Sequence, residues 1–453
     1  MGVAGVFESM ESEVRRYCRT FPAVFHRAKD AELHAVDGRV FIDFFCGAGT
    51  LNFGHNNEFI KRRLLDYLAG DGLTHGLDLH TVAKRDFLAG LRDVVLAPRG
   101  LDFKVQFCGP TGTDAVEAAL KLARKATGRT GIVAFTGAYH GMSRGSLAVT
   151  GSRAARAAGG VGASSGVVFV PYADGPSGPF DAVAYLAPML ADPASGVDVP
   201  AAVIVEPVQV EGGVYPAPPA WLRRLRDLTR RHGVLLICDE IQSGCGRTGT
   251  FFSFEPSGIE PDIVTVSKSI SGYGLPLALT LLRRDLDVWA PGEHAGTFRG
   301  NQPAFVTATA ALELWSRPEF QSSMAAAGAV LERFASRVRS LDPTLEVRGR
   351  GLLLGIDLRH AGGADRAAQV QRRCFDAGLM VELCGRDDDV LKVMPPLTID
   401  PDTLGRGLDI LRAALIGGQR LPLTDQAAAG AGVIAASPAA VSVAGTRSPM
   451  SPE

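Results

Sequence analysis

Cysteine is sparse in this chain, and its pattern excludes more than its number does. The seven residues, Cys18, Cys46, Cys108, Cys238, Cys245, Cys374 and Cys384, form no C-x-x-C pair. An odd number cannot all pair within one chain, so neither a disulfide framework nor a structural zinc site is expected, and no metal. The pattern suits a reducing cytoplasm. Net charge is nearly absent as well: the formal −1 gives no electrostatic reason to expect nucleic acid or an anionic membrane as a partner. The opening MGVAGVFESMESEVRRYC lacks the apolar core of a secretory signal. One uncharged stretch, Ala427 to Gly445, is about as long as a membrane span. It is built largely from Ala, Gly and Ser around Pro438, so its gain on entering lipid would be small. A soluble cytoplasmic protein is expected, with no membrane contact.

What is present is a globular composition, 46% hydrophobic and 21% charged over 453 residues. By length, roughly two to four domains of ordinary size would fit. Residues 1–60 mix a helix-like start with strand-like pieces such as Arg39–Phe45, followed by glycine turns. Between about Phe59 and Val306, apolar runs alternate with helical stretches. The runs are Lys104–Phe107, Gly131–Phe135, Gly166–Val170, Ala201–Val205, Val234–Cys238 and Asp262–Val266; the helical periods include Ala115–Ala126 and Ala220–His232. This alternation predicts an α/β fold, a mostly parallel sheet covered by helices on both faces. Residues 307–420 form a second block, with an Ala- and Leu-rich helix, a Gly-rich strand over Arg348–Ile356 and a closing helix over Thr403–Leu415. Residues 421–453 read as a flexible tail rich in Ala, Gly, Ser and Pro.

Three places carry chemistry. Gly109-Pro-Thr-Gly-Thr-Asp114 joins a strand-like run to a helix, whose free N–H groups and partial positive charge suit a phosphate. Its spacing is neither a Walker loop nor G-x-G-x-x-G, and an ordinary strand–turn–helix connection reads the same way. The run Gly233–Cys238 ends in Asp239 and Glu240, at the edge where ligands sit in open α/β sheets. Such a carboxylate can hold a protonated ring nitrogen, or simply cap the next turn. Pro261-Asp-Ile-Val-Thr-Val-Ser-Lys268 repeats the arrangement. Lysine is scarce here, most of the 47 basic residues being arginine. A lysine partly removed from water keeps a neutral, nucleophilic amine, whereas a surface lysine at a strand end would do nothing. Together the three supply a phosphate cradle, an acid for a ring nitrogen and a nucleophilic amine, the set that pyridoxal 5'-phosphate requires.

These residues resemble the class III aminotransferases, of the fold type I pyridoxal-phosphate enzymes. The likeness rests on Asp239-Glu-Ile-Gln-Ser-Gly-Cys-Gly-Arg-Thr-Gly249 followed by the lysine segment. It implies that Lys268 carries the cofactor covalently and that Asp239 binds its pyridine nitrogen. By the same resemblance Gln242 would take the ring hydroxyl, Tyr139 would stack on the ring, and Gly112 and Thr113 would hold the phosphate. Thr297 would reach the phosphate in a neighbouring subunit, so a homodimer or larger assembly is implied. The fold would be a large cofactor-binding α/β domain over 61–306, with a smaller α+β domain built from 1–60 and 307–420.

Further segments are similar to the diaminobutyrate–2-oxoglutarate aminotransferases, which begin ectoine synthesis and serve some siderophore and peptide pathways. They are Glu11–Tyr17, Phe44–Asn57, Gly76–Asp86, Gly272–Pro276 and Gly292–Asn301. The likeness spans about residues 7 to 418. It implies transfer of the terminal amine of L-2,4-diaminobutyrate to 2-oxoglutarate, giving L-aspartate 4-semialdehyde and L-glutamate. Another ω-amino-acid aminotransferase, acting on ornithine or 4-aminobutyrate, stays open, as does an aminomutase or decarboxylase on the same scaffold. One departure matters. Many ω-aminotransferases carry Arg before the Pro-Pro-Leu near the C-terminus to bind a substrate carboxylate; Lys392-Val-Met-Pro-Pro-Leu397 has lysine. A Glu211–Lys392 pair is therefore expected, with Arg299 taking over carboxylate binding.

Overall fold

Strands buried on both faces need apolar side chains at every position, because each Val, Leu or Ile removed from water contributes about 1.5–3 kcal/mol. The computed structural model, which describes residues 3–417 except 162–165, 174, 177 and 179, puts the apolar runs to that use. The expected tail over 421–453 lies outside the described residues. Seven strands, β1 (Phe103–Phe107), β2 (Ile132–Phe135), β3 (Val167–Val170), β4 (Ala202–Val205), β5 (Leu235–Asp239), β6 (Ile263–Val266) and β7 (Leu279–Arg283), form the central sheet. Their order is β1-β7-β6-β5-β4-β2-β3. Only β7 runs against its neighbours; the pairs among β6, β5, β4, β2 and β3 are parallel.

The alternation of side chains sorts each strand between two cores. Ile204, Ile237 and Ile263 pack with Val116, Leu120 and Ala123 of helix α1 (Gly112–Thr127) on one face. Val203, Val205, Leu236, Cys238 and Val264 face the other way, towards Trp221, Leu222 and Leu225 of helix α2 (Pro219–Arg231). The observed α1 starts three residues before the expected Ala115, because Thr111 caps it and Gly112 is already its first helical residue.

Early and late parts of the described chain meet in a separate sheet. Leu379 pairs in parallel with Ile42, which joins the C-terminal strand Leu379–Met380 to a sheet of Phe25–Lys29, Glu32–Ala35 and Val40–Asp43. A second sheet holds Glu346–Arg350, Leu353–Asp357, Val390–Val393 and Glu382–Cys384, all antiparallel. The single strand expected over Arg348–Ile356 is thus a hairpin: Gly351 (φ 64) turns the chain, and Arg350 pairs with Leu353. Arg247 stitches these parts to the central sheet. Fully buried, it donates to the carbonyls of Leu352 at 3.0 Å and Pro395 at 2.5 Å, and to Asn52 Oδ1 at 2.6 Å. Among the described residues no helix is long and apolar enough to cross a membrane.

Candidate active site

The parallel strands all end on one edge of the sheet, so the residues after them converge. A cavity of about 270 Å³ opens there, and its wall includes Gly112, Thr113, Tyr139, Asp239, Gln242 and Lys268. Six residues proposed from four separate segments therefore share one space. His140, Glu206, Ile241 and Met142 complete much of the remainder.

Asp239 closes β5 opposite Thr265 of β6. Its Oδ1 accepts from Thr265 Oγ1 at 3.0 Å and from the Ile241 N–H at 3.1 Å, while Oδ2 lies 2.7 Å from His140 Nδ1. The carboxylate is 4% exposed and the imidazole wholly buried, its Nε2 without a partner.

Lys268 follows β6 with φ +51, a left-handed conformation unusual for a residue with a side chain. Burial lowers its amine pKa; Glu211 opposes that shift and Lys392 reinforces it. The neutral amine is therefore favoured more than in water. A second left-handed segment faces it. Cys46 (φ 56), Gly47 (φ 56) and Ala48 (φ 55) turn the chain so that the Ala48 carbonyl accepts from Gln242 Nε2 at 3.1 Å. The turn also brings Gly49 against Gln242, where a Cβ would lie 3.4 Å from Gln242 Cγ.

Thr111 caps α1, leaving the first N–H groups of this helix at the cavity. At Gly112 a Cβ would stand 3.0 Å from Ile241 Cγ2, so glycine keeps that N-terminus open. The Thr113 hydroxyl lies 2.6 Å from Ser143 Oγ and 2.5 Å from Ser146 Oγ, and Glu117 accepts from Ser143 Oγ and the Gly145 N–H. Tyr139 is exposed over the cavity, with its N–H bound to Glu206 Oε1 at 2.9 Å. Burial beside Asp239 raises the Glu206 pKa well above the carboxylate range.

Lys392 is fully buried and ion-paired with Glu211, so the two residues expected to pair do so. Glu211 Oε1 also accepts from Gln242 Nε2 at 2.8 Å, which ties the pair to the cavity wall. Burial alone would raise the Glu211 pKa, but the Lys392 and Lys268 charges hold it down at about 2. Thr297 and Arg299 are not on this wall. Thr297 is exposed, and Arg299 pairs with Asp78 and donates to the His294 carbonyl at 3.1 Å.

Sequence reasoning missed His140, Glu206 and Glu382. His140 sits beside Tyr139 in the segment already singled out, and Glu206 follows a buried strand as Glu240 does, so both had a signal. Glu382 had none, since only strand pairing puts it opposite Lys392.

The donor set fits a flat, phosphorylated pyridine: an open helix N-terminus, a buried carboxylate held by three donors, and a desolvated amine around one cavity. Fold and site together define a fold type I transferase acting on amines. A family profile described as Aminotransferase class-III matches residues 14–415, and the chain belongs to that family. It is 53% identical over 413 residues to a diaminobutyrate–2-oxoglutarate transaminase of Nocardia farcinica, covering 90% of this chain and 93% of that one. It is 52% identical to a diaminobutyrate–2-oxoglutarate transaminase of Streptomyces coelicolor, covering 90% and 97%. Among solved structures it is similar to an amine transaminase from an uncultivated Pseudomonas species in its PLP-bound form. There the TM-score is 0.78 and the identity 26%, over 90% of this chain and 98% of that one.

Proposed function

We propose that this aminotransferase moves the terminal amine of L-2,4-diaminobutyrate to 2-oxoglutarate, reversibly, and serves the biosynthesis of diaminobutyrate. The observation that carries the reading is the placing of the Lys268 amine and the Asp239 carboxylate on one cavity with Glu211 bound to its wall through Gln242. The names of the relatives supply the substrate pair.

Pyridoxal 5'-phosphate, when bound, supplies the conjugated system that takes up the electrons released at the substrate carbon. Lys268 would hold it, and its freed amine would then lift the proton from the carbon bearing the reacting amine and return it on the far side of the transfer. Proton movement by a positioned group contributes about 10²–10⁴-fold in rate. Asp239, held by His140, Thr265 and the Ile241 N–H, would keep the ring nitrogen protonated. Gly112 and Thr113 at the N-terminus of α1 would bind the phosphate, Gln242 the ring hydroxyl, and Tyr139 would cover the ring face and exclude water. Thr297 of a second copy would complete the phosphate site, which makes the working form a homodimer or a larger assembly. Arg299, paired with Asp78 away from the cavity wall, would bind a substrate carboxylate only on leaving that partner. Seven free cysteines suit a cytoplasmic setting.

The test is to add L-2,4-diaminobutyrate, L-ornithine and 4-aminobutyrate separately to the cofactor-loaded protein and follow its visible absorbance. Bleaching by diaminobutyrate, reversed by 2-oxoglutarate with formation of glutamate, is expected. Bleaching by ornithine or 4-aminobutyrate alone would move the donor.

A further inference from the structure

The buried lysine next to the site is not a free cation. The antiparallel pairing of Glu382–Cys384 with Val390–Val393 sets Glu382 directly opposite Lys392. Glu382 Oε2 lies 2.9 Å from Lys392 Nζ, on a lysine already paired with Glu211. Lys392 is fully buried and Glu382 is 5% exposed, whereas the Glu211 side chain keeps 27% exposure. Tyr17, its ring tilted against Phe45 at 4.9 Å, reaches this cluster from the N-terminal segment, and Arg16 adds a positive charge nearby.

The charge balance of this cluster decides what it can bind. With two carboxylates around one ammonium it carries one net negative charge when Glu382 is ionised and none when Glu382 is protonated. In neither form does Lys392 have positive charge to spare for a substrate carboxylate. Without Glu382, Lys392 and Glu211 would neutralise each other.

We propose that Glu382 is a specificity-determining residue: by neutralising Lys392 from behind, it leaves the Glu211 carboxylate, still bound to Lys392 and Gln242 through Oε1, with negative charge to receive a second ammonium group on the donor. This rests on diaminobutyrate being the donor. In that molecule one CH₂ separates the reacting carbon from the carbon bearing the second amine. With the first amine at Lys268 the second falls close by, and Glu211 is held at the wall of the same cavity by Gln242 at 2.8 Å. Glu382 touches no reacting atom, so it acts as a positioning group through Lys392 and Glu211.

The experiment compares L-2,4-diaminobutyrate with 4-aminobutyrate, which differs only in lacking the α-ammonium. With the full-length loaded enzyme, KM is measured for diaminobutyrate and KM or KI for 4-aminobutyrate, in wild type and Glu382→Gln. Preference for the diamine is expected to fall about tenfold in the variant, through KM rather than kcat, with a lower KM for 2-oxoglutarate. A purely structural role would weaken both amines alike and would overturn the proposal. If Glu382→Gln does not fold, Glu382→Asp decides: it keeps the charge but draws the carboxylate back from Lys392, and should lower the preference about threefold; an unchanged ratio overturns the idea. A wild type that makes no glutamate from diaminobutyrate instead overturns the donor reading, and this inference with it.

Discussion

His140 Nδ1 lies 2.7 Å from Asp239 Oδ2, and both side chains are out of water on the floor of the cavity. The bond fixes which way the carboxylate faces, because Thr265 and the Ile241 N–H already occupy the other oxygen. His140→Ala removes a hydrogen bond to a charged group, worth about 1.5–3 kcal/mol. Roughly a 10–100-fold loss in kcat/KM is expected at saturating cofactor. Steady-state rates with diaminobutyrate as donor check this.

Lys268 has no substitute on the wall: among the described residues no other lysine lines the cavity, and Lys392 beside it is locked between two acids. Lys268→Ala should therefore lose at least about 10²–10⁴-fold in rate, the usual contribution of a positioned proton carrier. The visible band of the loaded protein should vanish with it, while thermal unfolding stays cooperative. A variant that turns over normally would end the assignment.

Arg247 is a structural cation. Its side chain is fully buried and satisfies two carbonyls and Asn52. Arg247→Ala leaves those acceptors unpaired, at a cost of about 3 kcal/mol or more. Arg247→Lys should recover little, because an ammonium cannot reproduce the planar fork. Urea denaturation measures both.

Glu240 gives a pH signature of its own. Burial raises its pKa to about 7, against donors from the Ser253 N–H and hydroxyl and the Phe254 N–H that favour the charged form. Between the ordinary value of 4.5 and about 7 the folded protein holds a proton that the unfolded chain has lost. The contribution of Glu240 is thus largest at low pH and declines as pH rises through this window. In Glu240→Gln that slope is absent, so the stability difference, wild type minus variant, should shrink from pH 5 to pH 8. A difference that grows over the same range would contradict the buried, proton-binding state.

Much of this was legible in the chain, for physical reasons. All six runs found by inspection are strands of the central sheet: β2, β4, β5 and β6 because a strand covered on both faces is largely apolar, whereas β1 keeps Lys104 and Gln106 and is only partly buried. β7 escaped notice because Leu279–Arg283 follows a glycine-rich segment and carries no such flanking helix. Asp239 and Lys268 stood out as candidates because polar residues at the ends of buried runs mark the edge where ligands sit, and Gly112 because it opens a helix after a strand.

What the sequence determined by itself is the alternating architecture, the family and the residues at the strand ends, since these depend on local periodicity and short motifs. Tertiary structure alone decided the rest. His140 and Asp239 stand 99 positions apart, and Lys392 and Glu211 stand 181 apart. Which groups neutralise one another across such distances is set by strand register and packing. No local pattern records that Glu382 would take the far side of Lys392, or that a left-handed turn at Cys46–Ala48 would hand its carbonyl to Gln242.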